Sequence, residues 1–343
     1  MQELHKNRSR RRALFRVAAA LLAGLTTNTV LATQWNAQVG AQSSSLDSQV
    51  LAFLPNEFWI YAGDSIQFTF ATYEPHTVSL LKSGQTRPAA FSLVGIGGRV
   101  FVGCPGTTPD GSSFDDSACV TSAPSPPGQT YTVNFPSEGN FKLVCLVHTR
   151  MTGAIHVLPL SGTLPYTQAD YDLQAQREGN RLLRDALGLQ NRGNGDAQQA
   201  SGLSVMAGAS AILANGGGSQ TIAVMRFLSQ FTVVHVGDTV EWTNFSTPVF
   251  HTITFGTEPA NDMPPSLGVT VDSDGVRHAS IGSPNDNVNS GFIGAPNQET
   301  VGQPQAALDF TRFRVTFTAP GTFDYVCVLH DDTGMKGTVI VQP

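Results

Sequence analysis

Two short motifs in the sequence combine a cysteine, a histidine and a methionine at similar spacings. The first holds Cys145, His148 and Met151, and the second holds Cys327, His330 and Met335. A thiolate, an imidazole and a thioether are soft or borderline ligands, and together they suit copper that cycles between Cu(I) and Cu(II). The two motifs therefore predict metal sites that gain and lose one electron at a time.

Each motif has a second histidine far upstream, His76 in the first half of the chain and His251 in the second. A cysteine that ends one strand, with a histidine three positions later and a methionine before the next strand, wraps three ligands around one metal ion. The upstream histidine would join them from another strand edge. A rigid scaffold of this kind would keep the ligand geometry similar in both oxidation states.

The segments around the motifs form an internal repeat. The run that begins at Phe53 returns at Phe227, 174 residues later, and the run that begins at Tyr131 returns at Phe313, 182 residues later. The repeated segments alternate apolar and polar residues between glycine, proline and aspartate, which is typical of half-buried strands. The repeat predicts an all-β protein of two tandem Greek-key β-sandwich domains.

The predicted domains cover residues 50–159 and 203–343, and residues 160–202 form a partly helical linker between them. The linker is rich in Arg, Gln, Leu and Ala, and Thr167-x-x-Asp170 could cap a helix there. We expect one exposed helix, followed by a flexible link at residues 191–195.

Residues 1–41 are typical of an export signal. Five arginines precede a short apolar run, and small residues follow, with possible cleavage sites after Ala32 or Ala41. The start is similar, imperfectly, to a twin-arginine signal. The alternative is a membrane anchor, although the run is shorter than the about 20 residues that a span needs. We expect a periplasmic or secreted protein after signal cleavage.

The charge balance argues against nucleic acid as a partner. The chain holds 20 Lys and Arg against 26 Asp and Glu. Residues 1–32 account for six of the basic residues and one of the acidic ones, so the remainder has 14 and 25, a net charge of −11. This acidity favours a basic protein partner, or serves solubility alone.

The other two cysteines, Cys104 and Cys119, enclose a loop rich in glycine, proline and aspartate. An exported protein can form disulfides. We expect a disulfide here, stabilising the fold by roughly 3 kcal/mol in the chain-entropy model. A further metal site is the weaker alternative, because no histidine lies nearby in the sequence.

Both halves of the chain resemble the cupredoxin family, which includes plastocyanin, amicyanin and azurin. The second motif has the C-x2-H-x4-M spacing of plastocyanin, and the first has the shorter C-x2-H-x2-M spacing of amicyanin. The resemblance implies two type 1 (blue) copper sites, with the ligand sets His76, Cys145, His148, Met151 and His251, Cys327, His330, Met335. Plastocyanin-like sites usually have Asn after the upstream histidine, whereas Thr77 and Thr252 stand there in this chain, which leaves the hydrogen bonding near the sulfur open.

The resemblance implies outer-sphere transfer of single electrons to a redox protein, such as a cytochrome or another copper protein, with no small-molecule substrate required. The electron would leave through an exposed imidazole edge of His148 or His330. One alternative is a multicopper oxidase or an enzyme like nitrite reductase, but Val144 and Val326 precede the cysteines where such enzymes typically have histidine, and no His-x-His pair occurs. The other alternative is a copper-binding module without electron transfer.

Overall fold

The computed structural model describes residues 32–87, 104, 109–148, 150–199, 203–244, 249–260, 264–294 and 311–343. The strands of the first half are β1 Gln34–Gln42, β2 Ser48–Leu54, β3 Glu57–Tyr61, β4 Ser65–Phe70, β5 Ser79–Leu80, β6 Ser112–Ser113, β7 Val120–Thr121, β8 Thr130–Asn134, β9 Gly139–Val144 and β10 Thr152–Leu158. The helix α1 follows at Gln168–Gln199. The strands of the second half are β11 Ser204–Asn215, β12 Gly218–Leu228, β13 Phe231–His235, β14 Thr239–Thr243, β15 Thr254–Phe255, β16 Thr270–Val271, β17 Arg277–Ile281, β18 Val288–Asn289, β19 Arg312–Phe317, β20 Gly321–Val326 and β21 Lys336–Gln342.

One sheet of 11 strands runs through both halves of the chain, in the order β16-β17-β19-β14-β11-β12-β2-β1-β4-β8-β6. Its central pair is β2 and β12, which are antiparallel, with Val50 opposite Ile222. Each half adds its own five-stranded sheet, β3-β10-β9-β5-β7 in the first and β13-β21-β20-β15-β18 in the second. The predicted all-β fold of two tandem β-sandwich domains is therefore confirmed.

Each sandwich buries the apolar set of its alternating strands. In β4 the side chains of Ile66, Phe68 and Phe70 are buried, and in β14 those of Val240 and Trp242 are buried. Successive side chains of a strand point to opposite faces, so this alternation places one set in the core and leaves the other towards solvent. The two cores extend to the metal-binding motifs, since Cys145 and Met151 lie in the first core cluster and Cys327 and Met335 in the second.

The helix α1 packs across the seam between the two halves, because it contacts β1, β2, β11 and β12. Its start carries the expected cap, since the N–H of Thr167 donates to the Asp170 carboxylate. Leu182 and Ala186 are fully buried, in a cluster with Ile222 and other apolar residues of the central strands. The expectation of an exposed helix with a flexible link at residues 191–195 is therefore wrong: α1 continues through those residues and covers the seam.

The first domain begins earlier than the predicted residue 50. Strand β1 starts at Gln34, and its Trp35 and Val39 lie in the first core. Cleavage after Ala41 would remove most of β1, whereas cleavage after Ala32 would leave it whole. Residues 1–31 of the predicted signal lie outside the described residues. Within the described part of the chain, no helix is both long and apolar enough to cross a membrane.

Candidate metal centres

The loop after the penultimate strand of each domain brings cysteine and methionine together. Cys145 directly follows β9, and Met151 directly precedes β10. The backbone N–H of Cys145 donates to the carbonyl of Met151 over 3.0 Å. The second domain repeats this bond, with 3.1 Å between the N–H of Cys327 and the carbonyl of Met335. Both methionines are fully buried, so each motif closes into a compact loop beside its cysteine.

The upstream histidine reaches each loop from a neighbouring segment. His76 lies between β4 and β5 and forms an isolated antiparallel bridge with Ser125. His251 lies between β14 and β15 and bridges Ile293 in the same way. Both imidazoles are fully buried. The repeated sequence therefore places its histidine in the same local setting twice.

Two nitrogens and one sulfur converge in each domain. In the first, Sγ of Cys145 lies 3.8 Å from Nδ1 of His76 and 3.7 Å from Nδ1 of His148, and the nitrogens are 3.1 Å apart. In the second, Sγ of Cys327 lies 3.7 Å from Nδ1 of His251 and 3.3 Å from Nδ1 of His330, and the nitrogens are 3.2 Å apart. Nitrogens that each lie about 2.1 Å from one metal ion can be at most about 4.2 Å apart. The spacing therefore fits a single metal ion at each place.

The threonine after each upstream histidine bonds to the cysteine loop. The backbone N–H of Thr77 points at Sγ of Cys145 over 3.4 Å, and Oγ1 of Thr77 accepts from the N–H of Leu146 over 2.7 Å. Thr252 makes the same pair of contacts with Cys327 and Val328, over 3.3 and 3.0 Å. At both sites a threonine hydroxyl thus links the histidine segment to the cysteine loop. This establishes the hydrogen bonding near the sulfur where threonine stands in place of the usual Asn.

The carboxylate of Glu74 joins the two sites. Its Oε1 accepts from Nε2 of His148 over 2.9 Å, and its Oε2 accepts from Nε2 of His330 over 3.1 Å. An ionised carboxylate only accepts hydrogen bonds, so Nε2 of each histidine carries a proton. Nδ1 is the nitrogen that faces the cysteine sulfur and can bind a metal. Sequence analysis missed Glu74, because nothing in the order of residues shows that the two motifs face each other.

The expectation that an imidazole edge of His148 or His330 is exposed is wrong. The two residues are only 1% and 6% exposed. Their outer edges, which carry Nε2, point towards Glu74. The edge through which an electron was expected to leave each site therefore faces the other site.

The charges of this cluster reinforce each other in the metal-free molecule. Burial acts to lower the pKa of His148, but the hydrogen bonds with Cys145 and Glu74 outweigh it and raise that pKa to about 9. Burial is likewise outweighed at His330, where Cys327 and Glu74 raise the pKa to about 10. Burial acts to raise the pKa of Glu74, yet the bonds from the two histidines hold it well below its usual range. A metal at Nδ1 therefore displaces protons when it binds.

A glycine in a bulged strand lies against each upstream histidine. The register of β1 shifts at Gly40 and that of β11 shifts at Gly208, where φ is 75° and 78°. A Cβ on Gly40 would lie 3.1 Å from Nε2 of His76, and one on Gly208 would overlap Nε2 of His251. Sequence analysis missed these glycines, although a Gly-Ala pair recurs 168 residues apart and could have indicated them.

Two stretches of the chain, residues 40–158 and 215–342, match the family model of copper binding proteins of the plastocyanin/azurin family. The chain belongs to the plastocyanin/azurin family of copper-binding proteins. The predicted cupredoxin relationship is therefore confirmed, and both domains of this plastocyanin/azurin-family protein take part in it.

Similar solved structures include plastocyanins and amicyanins. Oxidised plastocyanin from Dryopteris crassirhizoma is 21% identical, with 40% of this chain and 99% of that chain covered and a TM-score of 0.21. A mutant plastocyanin of fern is 19% identical, with coverages of 40% and 99% and a TM-score of 0.22. Amicyanin from Paracoccus versutus is 17% identical, with coverages of 42% and 83% and a TM-score of 0.22. No curated protein matches the sequence.

The cofactor of this plastocyanin/azurin-family protein is copper, and the donor set fits it. Two buried groups of ligating side chains are present, each with His, Cys, His and Met positions: His76, Cys145, His148 and Met151, and His251, Cys327, His330 and Met335. Thiolate, imidazole and thioether favour copper over harder cations. When bound, copper supplies one-electron chemistry between Cu(I) and Cu(II).

Cys104 and Cys119 form a disulfide, and neither belongs to a ligand group. Cys119 directly precedes β7, and β7 pairs with β5 through Leu80 and Val120. Strand β5 in turn pairs with β9, which leads to Cys145. The disulfide therefore fastens the edge of the sheet on which the first site is built.

Proposed function

We propose that this protein transfers single electrons between redox proteins outside the cytoplasm, and that each domain holds the electron at a type 1 copper site. The observation that carries the proposal is the pair of preformed ligand groups, in which nitrogens and sulfur already lie within 4.8 Å of one another. A site whose ligands are fixed before the metal binds needs little rearrangement when the metal changes oxidation state. Low rearrangement favours rapid electron transfer.

Burial of the ligands supports electron transfer over reaction with a substrate. His76, His251 and both cysteines are fully buried, and His148 and His330 are nearly so. An electron crosses a few layers of protein, whereas a small-molecule substrate needs an open position on the metal. The buried ligand shell therefore favours an electron carrier over an oxidase or a nitrite-reductase-like enzyme.

The sequence of residues 1–32 and the disulfide of the first domain both support export. The basic and apolar start is typical of a signal peptide. The disulfide between Cys104 and Cys119 suits an oxidising compartment. We therefore place the protein in the periplasm or the medium, where a cytochrome or another copper protein would be its partner.

The test is copper loading followed by absorption and EPR spectroscopy. We expect two coppers per chain, each with an intense thiolate-to-Cu(II) band, and Cys145→Ser and Cys327→Ser should each remove one band. The loaded protein should then exchange electrons rapidly with a one-electron protein donor. Absence of both bands, or copper-dependent turnover of a small substrate with slow exchange with every protein donor, would contradict the proposal.

A further inference from the structure

We propose that Glu74 couples the two copper sites, so that one electron equilibrates between them inside the molecule. This inference rests on the proposed function and adds a route to it. Glu74 is only 9% exposed, and each of its two oxygens accepts from a different domain. The carboxylate is therefore a direct link between a ligand of the first site and a ligand of the second.

The Nε2–H groups of His148 and His330 each require an acceptor oxygen. Each imidazole has Nδ1 in its ligand group and therefore carries its proton on Nε2. Ligand histidines commonly donate this second N–H to a carboxylate, which fixes the ring and its tautomer. Here one carboxylate fixes the rings of His148 and His330 together. An amide in its place would put an NH2 group, which only donates, at one of the two positions where the carboxylate accepts.

The backbone of Glu74 is itself held in place. Oγ1 of Thr72, which is fully buried, donates to the carbonyl of Glu74 over 2.9 Å. Glu74 also lies two positions before the ligand His76. Glu74 thus belongs to the same loop as His76 of the first site, and its side chain reaches His330 of the second site from there.

Among the described residues, the carboxylate that contacts both imidazoles belongs to the first domain. The counterpart of Glu74 in the second repeat, 175 residues later, is Val249. Val249 is 3% exposed and packs in the apolar cluster of the first domain. The second site has no carboxylate at its own equivalent position, so its ligand His330 uses the acid of the other domain.

The route consists of covalent bonds and two hydrogen bonds. It runs from the imidazole of His148 through Nε2–H to Oε1 of Glu74, and from Oε2 to Nε2–H and the imidazole of His330. With copper held by the two ligand groups, one electron would pass from the site in the Cu(I) state to the site in the Cu(II) state, so that one site is oxidised as the other is reduced. No atom or proton is transferred, and the first electron comes from the one-electron donor protein.

The experiment uses the full chain loaded with copper and a pulse of reductant below one electron per molecule. The spectra of Cys145→Ser and Cys327→Ser identify the band of each remaining site. In the unaltered protein we expect a redistribution between the two bands whose rate is independent of protein concentration. In Glu74→Gln, we expect this phase to slow by at least about 10-fold, on the scale typical when a group that supports a ligand is replaced. The Cu(II) EPR signals of both sites should also change.

The matched control is Glu57→Gln. Oε1 of Glu57 accepts from Nε2 of His156 over 3.1 Å, and His156 belongs to neither ligand group. This variant removes a carboxylate from a histidine contact in the same domain, and it should leave the internal phase and both EPR signals unchanged. An equal slowing in Glu57→Gln would overturn the proposal.

Further outcomes separate failure of the coupling from failure of the proposed function. A redistribution in the unaltered protein that depends on concentration, or an unchanged internal phase in Glu74→Gln with both coppers present, overturns the coupling but leaves the proposed function intact. Loss of both copper bands in the unaltered protein, or failure to exchange electrons with external donors, instead removes the proposed function. If Glu74→Gln does not fold or bind copper, Glu74→Asp takes its place, because it keeps two acceptor oxygens on a shorter side chain. A slower internal phase in Glu74→Asp supports the coupling, and an unchanged phase overturns it.

Discussion

At the scale of single residues, the surroundings of the two cysteine sulfurs are closely alike. Each sulfur faces a backbone N–H of a threonine, at 3.4 Å for Cys145 and 3.3 Å for Cys327. Hydrogen bonds to the cysteine sulfur and the axial ligand both tune the reduction potential of such sites. Because the sulfur contacts match, a difference in potential would arise from the loops, where Met151 follows its histidine more closely than Met335 does.

The glycine against the upstream histidine gives a prediction at this scale. Gly208→Ala adds a methyl group that overlaps the imidazole of His251 and also strains a residue with φ of 78°. We expect the second site to lose copper affinity, by about 10-fold or more, with an altered EPR signal, while the first site is unchanged. Copper counting and EPR on the variant measure both effects.

The control is Gly237→Ala, whose φ of 94° costs similar backbone strain but whose Cβ would meet no atom of the described residues within 4 Å. It should reduce stability without altering copper binding. Equal losses of copper in the two variants would show that strain, and not the contact with His251, is responsible.

At the scale of elements, α1 packs across the seam between the two domains and contacts both of them. It lies on the two central strands, β2 and β12, and on their neighbours β1 and β11. Tyr171, near its start, is fully buried, and its hydroxyl both accepts from the N–H of Trp59 and donates to its carbonyl. A helix fixed in this way restricts any motion of one domain against the other, which preserves the contacts of Glu74.

Truncation of a buried helix residue should weaken the whole protein. Leu182 and Leu187 both belong to α1, but Leu182 is fully buried whereas Leu187 is 54% exposed. Leu182→Ala should lower the free energy of unfolding by about 2–5 kcal/mol, and Leu187→Ala by at most about 0.5 kcal/mol. Urea unfolding of the two variants gives the comparison. Similar values for both would mean that α1 does not pack on the seam.

The sequence was informative where the repeat and the alternation of side chains were strong. The strands around Phe68 and Trp242 follow from the alternation of side chains. The cysteine, histidine and methionine of each motif follow from local spacing, whereas His76 and His251 were assigned as ligands through the repeat and the resemblance to cupredoxins. Strand β1 was not predicted, because most of its residues fall within the predicted signal, residues 1–41. Glu74 could not be predicted, because its role depends on contact with His330, which lies 256 residues away along the chain.

At the scale of the whole molecule, the two domains share the 11-stranded sheet, and α1 packs on strands of both. From the β2–β12 pair outward, the order is β1, β4, β8, β6 in one direction and β11, β14, β19, β17 in the other, where β16 adds one further strand at the edge. Corresponding strands of the two repeats therefore occupy corresponding places. Neither domain could leave the other without opening the central pair and exposing Val50 and Ile222.

The shared sheet predicts that the metal-free protein unfolds as a unit. We expect one calorimetric transition whose calorimetric and van't Hoff enthalpies agree, because both cores and the seam must open together. Leu182→Ala should shift this single transition to lower temperature without splitting it. Two resolved transitions in the unaltered protein would show that the domains unfold independently.

The arrangement of the strands has a consequence for how such a centre could arise. A dimer of identical single-domain chains, related by a twofold axis, would present the same residue from both copies at the axis. Two glutamates there would repel each other, and two valines would leave both imidazoles without an acceptor. Covalent fusion removes this constraint, since Glu74 in one repeat and Val249 in the other place a single negative charge at the centre. An odd number of charges on the axis is available to a tandem chain and unavailable to a symmetric pair.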